Sequence, residues 1–101
     1  MTQHQNLIAG EWVPGSDLSE NVNPSDLSDI IGQYARADPA QVNDAVGAAK
    51  AALPGWSNAS PQVRADLLGT VGQNVLAQKD EVGRMLAREE GKTLVAAIGE
   101  T

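Results

Sequence analysis

A chain of 101 residues with 42% apolar residues, 15 of them alanine, has room for one small domain. It holds no Phe, and its aromatics are only Trp12, Trp56 and Tyr34; burial of a large apolar side chain contributes about 1.5–3 kcal/mol and alanine little, so the core is expected to be thin and to lean on a partner surface. The net charge is −6, and residues 1–35 carry Glu11, Asp17, Glu20, Asp26 and Asp29 with no Lys or Arg, which repels phosphate and argues against nucleic acid and anionic membranes as partners.

The chain has no cysteine, which excludes disulfides, thiolate metal sites and a cysteine nucleophile within these residues. Met1–Asn6 is polar, without the basic and apolar regions of a signal peptide, and no stretch approaches the ~20 apolar residues of a membrane span. A cytoplasmic location is expected.

In chain order, residues 1–6 are expected as a disordered tail. Leu7–Val13 reads as two short strands around an Ala9-Gly10 turn, closed by Pro14-Gly15. Asn21-Val22-Asn23-Pro24 is an extended piece, since a proline favours β backbone at the residue before it. Ser25–Ser28 is turn chemistry, and Ile30–Ala35 is a further strand, so that short strands fill residues 7–35. From residue 38 to 101 the period is helical. Asp38 caps a helix with Pro39 at its first position, Val42, Ala45, Val46, Ala49 and Leu53 form its apolar stripe, and Pro54-Gly55 is expected to end it. Ser60-Pro61 repeats the start signal for a helix running to about Gln78. Asp80-Glu81 opens a third helix that stops at Gly91, and Thr93 caps a fourth bearing Leu94, Ala97 and Ile98 on one face. No C-cap glycine or lysine cluster closes that last helix, so the chain reads as the front of a larger protein. The fold expected is an α+β fragment of an α/β protein, with an N-terminal hairpin and short strands followed by three to four antiparallel helices.

Candidate chemistry is sparse. Gly91-Lys92-Thr93 ends as a phosphate loop does, but the glycine required five residues earlier is Leu86, and the preceding segment is helical; a helix–turn–helix junction accounts for it better. His4 is the sole histidine and falls in the expected tail. Asp26/Asp29 and Glu89/Glu90 are close carboxylate pairs of the kind used in acid–base work or metal binding. The first pair sits in turn sequence and the second beside a helix end, where structural roles account for both. Trp12 and Trp56 suit packing contacts better than a ligand site. Asn58-Ala59-Ser60 fits a glycosylation acceptor without the secretory signal that would give it meaning. From these residues no catalytic, cofactor-binding or metal-binding site is expected within the chain.

Three segments together resemble the aldehyde dehydrogenase superfamily. Leu7–Val13 followed by Val22-Asn23-Pro24 looks like that family's opening hairpin and "N-P" turn. The Ala-rich helix from Pro39 with its Pro54-Gly55-Trp56 end, and the Pro61–Arg64 start of the next, resemble its first two helices. Glu89-Glu90-Gly91-Lys92-Thr93-Leu94 with Gly99-Glu100 resembles its "E-x-G-K-x-x-x-x-x-x-G-E" signature. Asn21–Asp26 with Ile30-Ile31-Gly32 is further similar to the α-ketoglutaric semialdehyde dehydrogenases. The resemblance implies oxidation of an aldehyde to a carboxylic acid by a cysteine nucleophile and an activating glutamate, with hydride passing to NAD or NADP. It implies that none of those elements falls within residues 1–101, which would be the outer part of the NAD-binding domain, cut before the cofactor-binding core. Partners implied are the rest of the dehydrogenase chain and a homo-oligomer. Some members bind a monovalent cation near the residues matching Val22 and Glu89, through a carbonyl and a carboxylate. A self-sufficient α+β interaction module sharing this front end is the rival reading.

Overall fold

The computed structural model describes residues 2–101. Five strands precede four helices: β1 (Gln3–His4), β2 (Asn6–Ile8), β3 (Glu11–Val13), β4 (Asp17–Val22), β5 (Ile30–Arg36), α1 (Pro39–Ser57), α2 (Pro61–Ala77), α3 (Lys79–Glu90) and α4 (Leu94–Glu100). The chain divides into two compact units, one running to Asn21 and resuming over Gly32–Ala59, the other formed by Val22–Ile31 and Ser60–Thr101.

In the first unit, β2 and β3 form an antiparallel hairpin in which Leu7 faces Trp12 and Ile8 faces Glu11. Ala9 (φ 53°) and Gly10 (φ 82°) both take left-handed backbone, as a two-residue turn matched to the strand twist requires. β5 is the middle strand of the sheet β1-β5-β4. The expected disordered tail is corrected from Gln3 onward: β1 pairs in parallel with β5, Gln3 opposite Gln33 and His4 opposite Tyr34. The tail is held because the His4 ring stacks on Tyr34, with centroids 4.6 Å apart, and lies over Gly32, where an added Cβ would sit 3.2 Å from the imidazole. Met1 lies outside the described residues.

Helix α1 starts as its sequence dictates, the Asp38 carboxylate accepting the Gln41 N–H at 2.8 Å with Pro39 following the cap. It does not stop at Pro54-Gly55. Proline lacks a donor for the preceding turn, but its own carbonyl still accepts the Asn58 N–H at 3.1 Å, so the helix continues to Ser57. Gln41 ties the helix to the hairpin, donating to the Pro14 carbonyl at 2.8 Å and accepting from the Asn6 amide at 2.8 Å.

In the second unit, Ser60 caps α2 through the Val63 N–H and Thr93 caps α4 through the Ala96 N–H. Gly91 ends α3 in left-handed backbone (φ 68°), closing on the Ala87 carbonyl. Helix α4 docks on α3 by close contact: Ala97 is fully buried, and Gly83 lies so near Ile98 that a Cβ there would be 2.9 Å from the Ile98 Cα. Ala97 is the one buried hydrophobic residue of the core among the described residues. The thin core expected from the composition is therefore observed, with the stripes of α1 and α2 half-exposed.

Candidate functional site

The densest polar constellation lies in the second unit, where the turn 23–29 meets the end of α3. Three residues shape that turn. The Asn23 N–H donates to the Asp29 carbonyl, the Asp29 N–H to the Asp26 carbonyl, and the Asn23 side chain accepts the Ser25 N–H at 2.9 Å. Arg88, in the last turn of α3, then donates two parallel bonds to the Asp29 carboxylate, Nε to Oδ2 at 2.9 Å and Nη2 to Oδ1 at 2.6 Å. The Asn23 amide adds a third at 3.1 Å. This fork geometry is the strong form of an ion pair. The bonds from Arg88, then that from Asn23, hold the Asp29 carboxyl at about 2 against an ordinary 3.8.

One turn on, the Lys92 ammonium is gripped by Glu100 at 2.7 Å and Glu90 at 2.6 Å. The two carboxylates raise its pKa above the ordinary lysine value, the Glu100 bond contributing most. Gly91 sits under Pro24 and Ser25, where an added Cβ would be 2.8 Å from the proline ring. The pair and the clasp together pin turn 23–29 and α4 to the two sides of the α3 end.

This geometry decides the fate of each candidate. Gly91-Lys92-Thr93 joins two helices, and its lysine is already neutralised by two carboxylates, an arrangement hostile to a dinucleotide's pyrophosphate. Helix α4 has only seven residues. These residues do not fit NAD or NADP. Asp26 and Asp29 are not brought together as an acid–base pair: Asp26 accepts from the Ser28 N–H and hydroxyl within the turn, while Asp29 faces Arg88. Glu90 belongs to the Lys92 clasp. Val22 ends β4 and Glu89 lies in the last turn of α3; among the described residues no group of three or more His, Asp or Glu is placed to hold a metal. His4 borders an open cleft of about 380 Å³ in the first unit, shared with Pro14, Gly15, Asp17 and Leu18. The two tryptophans depart from the packing expected of them. Trp12 is 64% exposed on the hairpin, where it stands opposite Leu7, and Trp56 is half-exposed near the end of α1.

Sequence reasoning missed Arg88 and the Lys92–Glu100 bond. Arg88 at the end of a helix signals only dipole compensation. Its partner lies 59 residues away, beyond any local pattern.

The aldehyde dehydrogenase family pattern matches residues 12–101. The chain is 32% identical over 95 residues to a 1-pyrroline-5-carboxylate dehydrogenase of Anoxybacillus flavithermus, covering 94% of this chain and 18% of that protein. It is 33% identical over 98 residues to an alpha-ketoglutarate semialdehyde dehydrogenase of Haloferax volcanii, covering 95% and 20%. Among solved structures, an NAD-dependent aldehyde dehydrogenase from Sinorhizobium meliloti superposes with a TM-score of 0.91 at 27% identity, over 98% of this chain and 20% of that one. The chain thus spans about a fifth of the length of the curated relatives it matches. The α+β arrangement of strands followed by four helices is a part of that larger fold.

Proposed function

The chain belongs to the aldehyde dehydrogenase family, and on that premise we propose that it is the N-terminal, non-catalytic part of an enzyme that oxidises an aldehyde to a carboxylic acid with NAD or NADP. The observation that carries this reading is the match over residues 12–101 to proteins about five times as long. The exposed apolar stripes of α1 and α2 support it, because such surface in a soluble domain marks a contact. Residues 1–101 would then form the outer part of the NAD-binding domain, ahead of its cofactor-binding core. The whole protein would work as a homo-oligomer in the cytoplasm.

The groups that such an enzyme needs, a nucleophile for the aldehyde and a site for NAD or NADP as hydride acceptor, would lie outside residues 1–101. This chain has no cysteine. Its own residues do something different: the Arg88–Asp29 pair and the Lys92 clasp hold turn 23–29 and α4 in place, giving the rest of the enzyme a shaped surface to fold on. For the substrate we favour a semialdehyde, an aldehyde that also bears a carboxylate, with α-ketoglutaric semialdehyde as the particular candidate. Similarity to the Haloferax volcanii protein supports that choice. A malonate-semialdehyde dehydrogenase of Lacticaseibacillus casei at 33% identity supports the wider class.

The test is NAD(P)H formation by the full-length polypeptide against a panel of semialdehydes, with the 101-residue chain assayed beside it. Turnover by the former and none by the latter is expected. Turnover by the short chain, or silence of the full-length protein on every aldehyde, overturns the reading. One observation favours the rival interaction module: α4 is docked, with Ala97 fully buried, as a self-contained domain would have it. A sharp cooperative melt of the isolated chain with little dye binding would decide for that module.

A further inference from the structure

Gly91 is the corner of the second unit. It ends α3 in left-handed backbone (φ 68°), and Lys92 and Thr93 then carry the chain into α4. A glycine visits positive and negative φ about equally, so its own backbone does not fix the direction in which the next helix leaves. Turn 23–29 supplies that restraint. Pro24 and Ser25 lie so close over Gly91 that an added Cβ would be 2.8 Å from Pro24 Cγ and 2.9 Å from Ser25 Oγ. The Ser25 hydroxyl also donates to the Gly91 carbonyl at 3.4 Å. The turn is itself seated by α3, because Asp29 takes two bonds from Arg88, three residues before Gly91. Asn23 accepts the Ser25 N–H and donates to the Asp29 carboxylate, so one side chain links the residue lying on Gly91 to the residue held by Arg88. Beyond the corner, α4 cannot stand alone. Its seven residues fall well short of the ~12–15 at which an isolated helix is even marginal in water. Ala97 is buried and Ile98 reaches Gly83 only while the corner keeps its angle.

We propose that turn 23–29 is a latch for α4: the Asp29–Arg88 pair seats Pro24 and Ser25 on Gly91, and breaking that pair frees α4 from α3. Docked and released α4 are then the two states of one element, and the turn and the Lys92 clasp both bias it towards the docked one. The inference stands apart from the dehydrogenase reading, because every residue in it lies within the second unit.

Amide hydrogen exchange of the full-length polypeptide, read by mass spectrometry over residues 23–29, 63–76 and 94–100, tests the latch. Asp29→Asn should quicken exchange over 94–100 about tenfold and leave 63–76 unchanged. Asp66→Asn, which alters a carboxylate bonded to Gln62 within α2, is the control and should leave 94–100 unchanged. Ser25→Ala removes only the hydroxyl on Gly91 and should quicken 94–100 about threefold; it carries the test if Asp29→Asn does not fold. Faster exchange confined to 23–29 overturns the proposal, since the turn and α4 would then be independent. An equal rise over 63–76 and 94–100 also overturns it, since that is general loosening and no latch.

Discussion

The Asp29 carboxylate shows how much one side chain carries in a chain with little core. Three donors converge on it, two from Arg88 and one from Asn23. Its carboxyl titrates at about 2 in the fold against an ordinary 3.8, so below about pH 4 the unfolded chain takes up the proton more readily than the folded one. The stabilisation from this pair is therefore complete above about pH 4 and is lost as pH falls towards 2. Acid titration followed by circular dichroism should show the wild type losing stability across that window, and Asp29→Asn should be less stable at neutral pH with a flattened acid limb. Lys92 runs the opposite way. Its raised pKa makes its clasp fully effective below the ordinary lysine value of 10.5 and lost as alkaline pH passes the folded value. Gly91→Ala should cost at least about 1–2 kcal/mol from left-handed backbone alone, with Pro24 and Ser25 crowding the new methyl, as a denaturant midpoint would show.

Among the elements, α4 is the most instructive, because its seven residues are too few to hold a helix alone. Its formation depends on docking against Gly83. Gly83→Ala forces a methyl to 2.7 Å from the Ile98 side chain and should cost about 1–3 kcal/mol by overpacking. Amide exchange should then speed up across residues 94–100 and leave the middle of α2 unchanged. Pro54 offers a gain instead. Pro54→Ala restores a donor inside α1 and should raise helix content and thermal midpoint, with its effect tempered by its place in the last turns. The starts of α1, α2 and α4 were legible because Asp38, Ser60 and Thr93 each act within three residues. The end of α1 was not, since a proline weakens a helix without deciding whether the next carbonyls find donors. Strand β1 was not legible either: two polar residues become a strand only because β5 lies alongside.

For the whole molecule, exposed apolar surface is the dominant fact. Val42, Val46 and Leu53 on α1 and the leucines of α2 stand open to water. A free 101-residue chain should therefore bind an apolar dye such as ANS and melt over a broad range, as expected of weak tertiary packing. A chain that binds no dye and melts sharply would show the faces to be satisfied in some other way.

The sequence by itself determined the hairpin turn, the helix caps, the stop at Gly91 and the order of strands before helices, because each depends on residues within a few positions of one another. It also carried the family, through motifs spread from Leu7 to Glu100 in fixed order. Only the tertiary structure decided that His4 is stacked in a sheet, that Asp29 answers Arg88 instead of Asp26, and that Lys92 is held by Glu90 and Glu100. The His4–Tyr34 and Asp29–Arg88 pairings join residues far apart in the chain, and such separations leave no periodic trace; Lys92 reaches Glu100, eight residues on, only through the turn between α3 and α4.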